Sequence, residues 1–168
     1  LVRAVREYTY MDQAPQQDVD VHDGIENTLI ILNHKIPTSV AIVREYDRTL
    51  PRIPAYGSEL NEAWTNLIDN AIDAIFACGG AGTISISTVR QGDSALIAIT
   101  DDGPGIPPKI LPRIWEPFFT TKDIGDGLGL GLDTVRRIIA VRHHGDVRMS
   151  SRPGQTRFEI RLPLNPVS

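Results

Sequence analysis

The sequence predicts an α+β fold in which helices cover one face of a single, largely antiparallel sheet. Three observations carry this expectation. Segments with helical apolar periodicity stand between pairs of alternating segments joined by short turns, and no regular alternation of strand and helix is present. Residues 102–127 are crowded with glycine and proline and read as one long loop. At 168 residues, 41% hydrophobic and 23% charged, the chain has material for one domain with a sizeable core.

The elements follow in order. Leu1, Val2, Val5, Tyr8 and Met11 recur at helical spacing up to Pro15, as the end of a longer helix or a frayed terminus would. Residues 16–21 alternate weakly and predict a short strand. Asp23 and Glu26 have the spacing of a capping box and predict a helix to about His34. Val40, Ile42 and Val43 mark a strand over 38–46, and Pro51 and Pro54 an extended connector. Ser58 is the expected cap of the clearest helix, which runs to about Ala77 and stops at Gly79-Gly80. Residues 83–90 and 94–100 read as a hairpin around Gln91-Gly92-Asp93. A helix is expected from Leu128 to about His144, then strands over 147–151 and 157–162 around Pro153-Gly154.

Composition excludes several functions. A net charge of -4 gives no general attraction to nucleic acid or to an anionic membrane. No apolar run is long enough to span a bilayer, and no signal peptide is visible. The single cysteine, Cys78, rules out an internal disulfide framework and is expected to pack as a small hydrophobe near a helix end. His34, His143 and His144 lack metal-ligand spacing and receive no catalytic role; His144-Gly145 reads as a helix end.

Four ordered motifs carry the chemistry. On the helix 58–77, Leu60, Trp64, Leu67, Ile68, Ala71 and Ile75 form an apolar stripe, with Glu62, Asn66, Asn70 and Asp73 on the other side. A solvated face is the plain reading of those four. Yet two mid-helix asparagines one turn apart are unfavourable for a helix, and a carboxamide oxygen suits magnesium, so Asn70 is the candidate metal ligand. Asp101, at a strand end before Asp102-Gly103-Pro104-Gly105, can accept a hydrogen bond from an adenine amine, although an Asp-Gly turn alone is common. Gly125-Asp-Gly-Leu-Gly-Leu-Gly131 precedes a helix and offers amides to phosphate. It has neither the Gly-Lys-Ser/Thr of a Walker loop nor the position of a dinucleotide fingerprint. Lys122, one of three lysines with Lys35 and Lys109, lies in the loop before these glycines. Phe118-Phe119 beside it suggests a lid over nucleotide or against a partner domain.

These blocks resemble the N, G1, F and G2 boxes of the ATPase superfamily shared by gyrase, Hsp90, sensor histidine kinases and MutL, over about Asp18 to Leu164. Glu116-Pro-Phe-Phe-Thr-Thr-Lys122 and the ending Ser151-Arg-Pro-Gly-Gln-Thr-Arg-Phe-Glu-Ile-Arg-Leu-Pro163 look specifically like the catalytic domain of a bacterial histidine kinase, and the short lid between Phe119 and Gly125 is similar to the nitrogen-regulatory type. The resemblance implies the Bergerat ATP-binding fold, a two-layer α/β sandwich with a mixed, mostly antiparallel sheet covered by three helices. It implies ATP and Mg2+ as cofactors. Asn70 would hold magnesium and Asn66 would sit near the phosphates. Asp101 would bind the adenine amine beside Gly103, Gly105 and Thr156. Lys122 would approach the γ-phosphate, and Gly127, Leu128, Gly129 and Leu130 would offer amides to the phosphates. Residues 1–14 would end a dimerisation helix, and 15–168 would be the catalytic and ATP-binding domain. Partners would be the parent's dimerisation and histidine phosphotransfer domain and a response regulator, with no membrane contact by a cytoplasmic domain.

ATP-hydrolysing clamps of this superfamily carry glutamate where this chain has Asn66. An amide is no strong general base, and Glu62, a turn away, is a weak substitute. The expected pocket therefore donates phosphate to an acceptor. No acceptor histidine with an acidic neighbour on a long helix is visible, and it is expected before Leu1. The alternatives are a non-catalytic nucleotide-sensing or partner-binding module and, ranked lower, an anti-sigma-type serine kinase or an ATP-driven clamp.

Overall fold

The structure, a computed structural model, describes residues 15–120 and 130–165. The expected helix over 1–11 lies outside these residues. The described elements are β1 (Gln17–Val19), α1 (Val21–Ile31), a 3-10 turn (Asn33–Lys35), β2 (Val40–Glu45), β3 (Ile53–Ala55), α2 (Gly57–Ala77), β4 (Gly82–Gln91), β5 (Ser94–Asp101), a 3-10 turn (Leu111–Arg113), α3 (Leu132–Arg136, continued as a π-helix Arg137–Arg142), β6 (Asp146–Arg152) and β7 (Gln155–Pro163).

The main sheet has the order β2-β4-β5-β7-β6. Only β2–β4 is parallel; the other three pairings are antiparallel. The mixed, mostly antiparallel sheet under three helices is therefore as expected. The β4–β5 hairpin closes with Gln91 opposite Ser94, and Gly92 takes φ +59° between them.

Alternation sets the core. Ile84 and Ile86 of β4, Ile97 and Ile99 of β5, and Phe158, Ile160 and Leu162 of β7 point to the helical layer and are buried. Against them α2 lays its stripe, with Leu60, Trp64, Leu67, Ile68 and Ile75 at 1% exposure or less. Each such side chain contributes about 1.5–3 kcal/mol of transfer free energy. At its end, Gly80 N–H donates to Ile75 O and Gly79 N–H to Phe76 O, a pattern that satisfies the last carbonyls.

Several boundaries differ from the sequence reading, each for a tertiary or local reason. Asp20, not Asp23, caps α1; its carboxylate accepts from His22 N–H at 2.8 Å and Asp23 N–H at 3.4 Å. Glu26 does not turn back to the cap. It pairs instead with Arg44 Nε at 2.8 Å and Tyr46 Oη at 2.6 Å. Ser58 is not a cap either: α2 starts after Tyr56, which has no side-chain cap. The connector around Pro54 is strand β3, paired with β1, because a two-stranded ribbon leaves an edge where proline loses no ladder bond. α3 starts at Leu132 rather than Leu128, behind Leu130 and Gly131 in left-handed backbone. Cys78 caps α2 and is exposed, not packed.

Candidate functional site

α2, the end of β5 and the β6–β7 hairpin enclose an apolar cavity of about 450 Å3. Asp101 is the last residue of β5, and its direct partner on β7 is Thr156. Asp101 is only 5% exposed and lines this cavity beside Ala74, Ile106 and Thr156. Burial pushes its carboxyl up to about 6, with nearby Asp102 adding in the same direction and the Gly103 N–H opposing both. That N–H donates to Asp101 Oδ1 at 3.0 Å. A buried carboxylate so placed is a strong acceptor awaiting a donor.

The wall around it leaves no room. A Cβ on Gly103 would lie 2.9 Å from Asp101 Oδ1 and 3.0 Å from Ala74 Cβ. One on Gly105, at φ +82°, would lie 2.3 Å from Arg152 O. Ile106 N–H donates to Ser151 Oγ at 2.7 Å, and Ser151 Oγ is 3.3 Å from Thr156 Oγ1. The Gly103–Ile106 segment is thus tied to the hairpin that carries Thr156.

Asn70 and Leu130 line both this cavity and a second, more polar one of about 550 Å3. The two are therefore adjoining ends of one cleft. Asn70 is 6% exposed and is not on a solvated face. Its Oδ1 accepts from Leu130 N–H at 2.6 Å, and its Nδ2 donates to Leu130 O at 2.7 Å. Leu130 sits at φ +61°, a costly region for a branched residue, and this double bond holds it there. Asn66 Nδ2 donates to Gly131 O at 3.4 Å. Both asparagines of the motif therefore grip the residues that lead into α3. Of the rest of that helix face, Glu62 is exposed and Asp73 half-buried.

Asn66 and Asn70 line the second cavity with Asp69, Phe119, Asp133 and Thr134. Phe119 is half-buried beneath the Arg113 guanidinium, 4.6 Å from the ring centroid. Phe118, at φ +63°, is 98% exposed. Lys122, Gly127, Leu128 and Gly129 lie outside the described residues.

This architecture has known counterparts. Residues 56–166 match the model of the "Histidine kinase-, DNA gyrase B-, and HSP90-like ATPase" family. The chain belongs to this ATPase family. It is 30% identical over 152 residues to the sensory histidine kinase/phosphatase NtrB of Salmonella typhimurium, covering 86% of this chain and 43% of that protein. It is 35% identical over 169 residues to the histidine-protein kinase AtoS of Escherichia coli, covering 99% of this chain and 27% of that protein. The chain thus spans less than half the length of these relatives. The solved catalytic domain of histidine kinase ThkA superposes with a TM-score of 0.79 at 27% identity, covering 91% of this chain and 98% of that one.

Three further residues of this chain hold the scaffold, and sequence reasoning gave them no part. His143, at the end of the π-helix, is buried; its Nδ1 donates to Ile138 O at 2.8 Å and its Nε2 accepts from Tyr56 N–H at 3.0 Å. It does what a capping side chain does at the start of α2, from 87 residues away. Burial lowers its pKa. Beside it Arg142 forks onto Glu59 at 2.9 and 3.0 Å and lies over the Tyr56 ring. His22, next to Asp23, is buried in the first turn of α1, hydrogen-bonded to Thr88 Oγ1 at 2.7 Å. It is no exposed phosphoacceptor. No helix among the described residues is long and apolar enough to cross a membrane.

Proposed function

We propose that this chain is the ATP-binding catalytic domain of a two-component histidine kinase. It binds Mg-ATP and donates the γ-phosphoryl group to a histidine on the parent's dimerisation helix. The observation that carries the reading is the join at Asn70 and Leu130 between an apolar cavity ending on buried Asp101 and a more polar cavity lined by Asn66. The first fits a base with an amine edge, and the second fits its phosphates.

In this reading Asp101 accepts from the exocyclic amine of adenine, and Thr156, its strand partner, steadies the same edge. Gly103 and Gly105 let the backbone form a flat wall against the ring. The residues fit a magnesium ion. Asn70 Oδ1 is a hard oxygen at the junction, and its bond from Leu130 N–H uses one of two lone pairs. Asn70 would hold the ion there, and its charge would offset that of the phosphates. Gly127, Leu128 and Gly129 offer backbone amides to the phosphates, and Lys122 pairs with the γ-phosphate; the Leu130 amide, expected to join them, is instead taken by Asn70 Oδ1.

Asn66 cannot strip a proton from water, so its amide positions phosphate without promoting hydrolysis. Catalysis is then placement of the γ-phosphorus in line with an incoming imidazole nitrogen. The nitrogen–phosphorus bond forms, the bond to the β-phosphate oxygen breaks, and ADP leaves. The partners proposed are the dimerisation and phosphotransfer domain and a response regulator that takes the phosphoryl group, with the domain itself in the cytoplasm. Calorimetric titration of the chain with ATP and Mg2+ tests the first half: saturable one-to-one binding supports the pocket, and no heat at millimolar nucleotide contradicts it.

A further inference from the structure

The phosphate-side cavity opens beside an aromatic residue that the fold leaves bare. Phe118 lines that cavity with Phe119 and Thr120, yet it is 98% exposed. It also stands at φ +63°, a left-handed backbone that a bulky side chain rarely adopts. Strain kept at an exposed aromatic points to a surface that another molecule covers.

The segment that carries Phe118 is pinned from two sides. The Arg113 guanidinium lies over the Phe119 ring, and Arg113 Nε donates to Glu116 Oε2 at 3.2 Å. Those contacts are local. The second pin comes from α3, where the Arg136 guanidinium lies 4.1 Å from the centroid of the Trp115 ring. Trp115 is half-buried, packs on the core and stands three residues before Phe118. Arg136 closes the stretch Leu132–Arg136, whose Asp133 and Thr134 line the phosphate-side cavity. Arg136 itself is exposed and lines neither cavity. Its contact with Trp115 therefore ties the helix beside the phosphates to the segment that bears Phe118.

We propose that Arg136 is a positioning residue for the phosphoacceptor helix, acting through Trp115: the guanidinium–indole contact holds the segment Trp115 to Phe119 so that Phe118 meets that helix at the rim of the cavity. The inference rests on the kinase reading above and deepens it. The occupant follows from place, since a histidine that takes the γ-phosphoryl group must approach through the opening that Phe118 borders. Arg136 touches neither nucleotide nor acceptor in this role.

Phosphoryl transfer from Mg-ATP to the parent's dimerisation helices, supplied as a separate protein, is measured against helix concentration, beside calorimetric titration with ADP. R136M should raise the KM for the helices about threefold and leave kcat and ADP affinity unchanged. R136K keeps a cation over the indole and should recover most of the original KM. F118A should raise the KM at least as much, and F118A/R136M no further than F118A alone, because both changes act on one contact. An unchanged KM in R136M, or additive losses in the double variant, would overturn the proposal. An equal loss of ADP affinity in R136M would place its effect on the nucleotide wall and overturn the proposal as well. Failure of the unsubstituted chain to label the helices at all would remove the kinase reading, and this proposal with it.

Discussion

Replacing Asp101 with asparagine should move nucleotide affinity and stability in opposite directions. In the folded chain burial raises the carboxyl from 3.8 to about 6. Folding therefore favours the protonated form, and between these values the native state holds more protons than the unfolded chain. Stability from this group is full below pH 3.8 and is lost as pH rises through about 6. The separation, 6 minus 3.8, at 1.36 kcal/mol per pH unit, makes the buried charge cost roughly 3 kcal/mol at pH 7.5. Asparagine carries no charge, and its carbonyl can still accept from Gly103 N–H. Asp101→Asn should therefore unfold at higher urea than the parent at pH 7.5, by up to roughly 3 kcal/mol, and by little at pH 4.

The same change removes a charged acceptor for the adenine amine. A charge-assisted hydrogen bond of this kind is worth at least ~1.5 kcal/mol, about a tenfold loss of affinity. ADP titration at pH 7.5 reads this directly. Parent affinity should also decline as pH falls through about 6, where Asp101 takes up its proton. Unchanged ADP affinity in Asp101→Asn would refute the adenine assignment. Lower stability at pH 7.5 would refute the claim that burial sets the carboxyl's behaviour.

Three further outcomes are expected. Asn70→Asp keeps an acceptor for Leu130 N–H but turns a donor into an oxygen facing Leu130 O, so urea unfolding should show a loss of about 1–3 kcal/mol. Gly105→Ala must clear the Arg152 carbonyl from left-handed backbone; calorimetric melting should show about 2 kcal/mol or more of destabilisation, with ATP affinity falling as the wall shifts. His143 accepts at Nε2 only while neutral, and burial lowers its pKa, so its contribution is full above about 6.5 and is lost as pH falls below that value. Urea titrations from pH 7.5 to 5.5 in the Asp101→Asn background, where the opposing carboxylate is gone, should show stability falling with pH; a flat profile would contradict the bond to Tyr56.

What the sequence revealed divides by range. The α2 stripe was legible because Leu60, Trp64, Leu67 and Ile75 repeat with the helix period and bury one face. The β4–β5 hairpin was legible because alternation is local and Gly92 marks the turn. Contacts set by tertiary distance were not legible. His143 satisfies Tyr56 across 87 residues, and Lys35 meets Asp69 across 34. Neither partner has a local signature. Asn70 stood out as a mid-helix asparagine and candidate metal ligand, but its protein partner, Leu130, lies 60 residues on. Asp20 won the α1 cap from Asp23 because both carry the right side chain and only the backbone path decides between them. Pro54 concealed β3, since proline argues against a strand except at an edge. The π-helical end of α3 follows from no local residue pattern, and the structure offers no separate cause for it.

The central claim is that this pocket delivers phosphate to a histidine rather than to water. The direct test incubates the chain with Mg2+, γ-labelled ATP and the parent's dimerisation helices as a separate protein. The account expects label on those helices in an acid-labile, base-stable linkage, with little free phosphate released by the chain alone. Rapid release of phosphate with no labelled protein would contradict it.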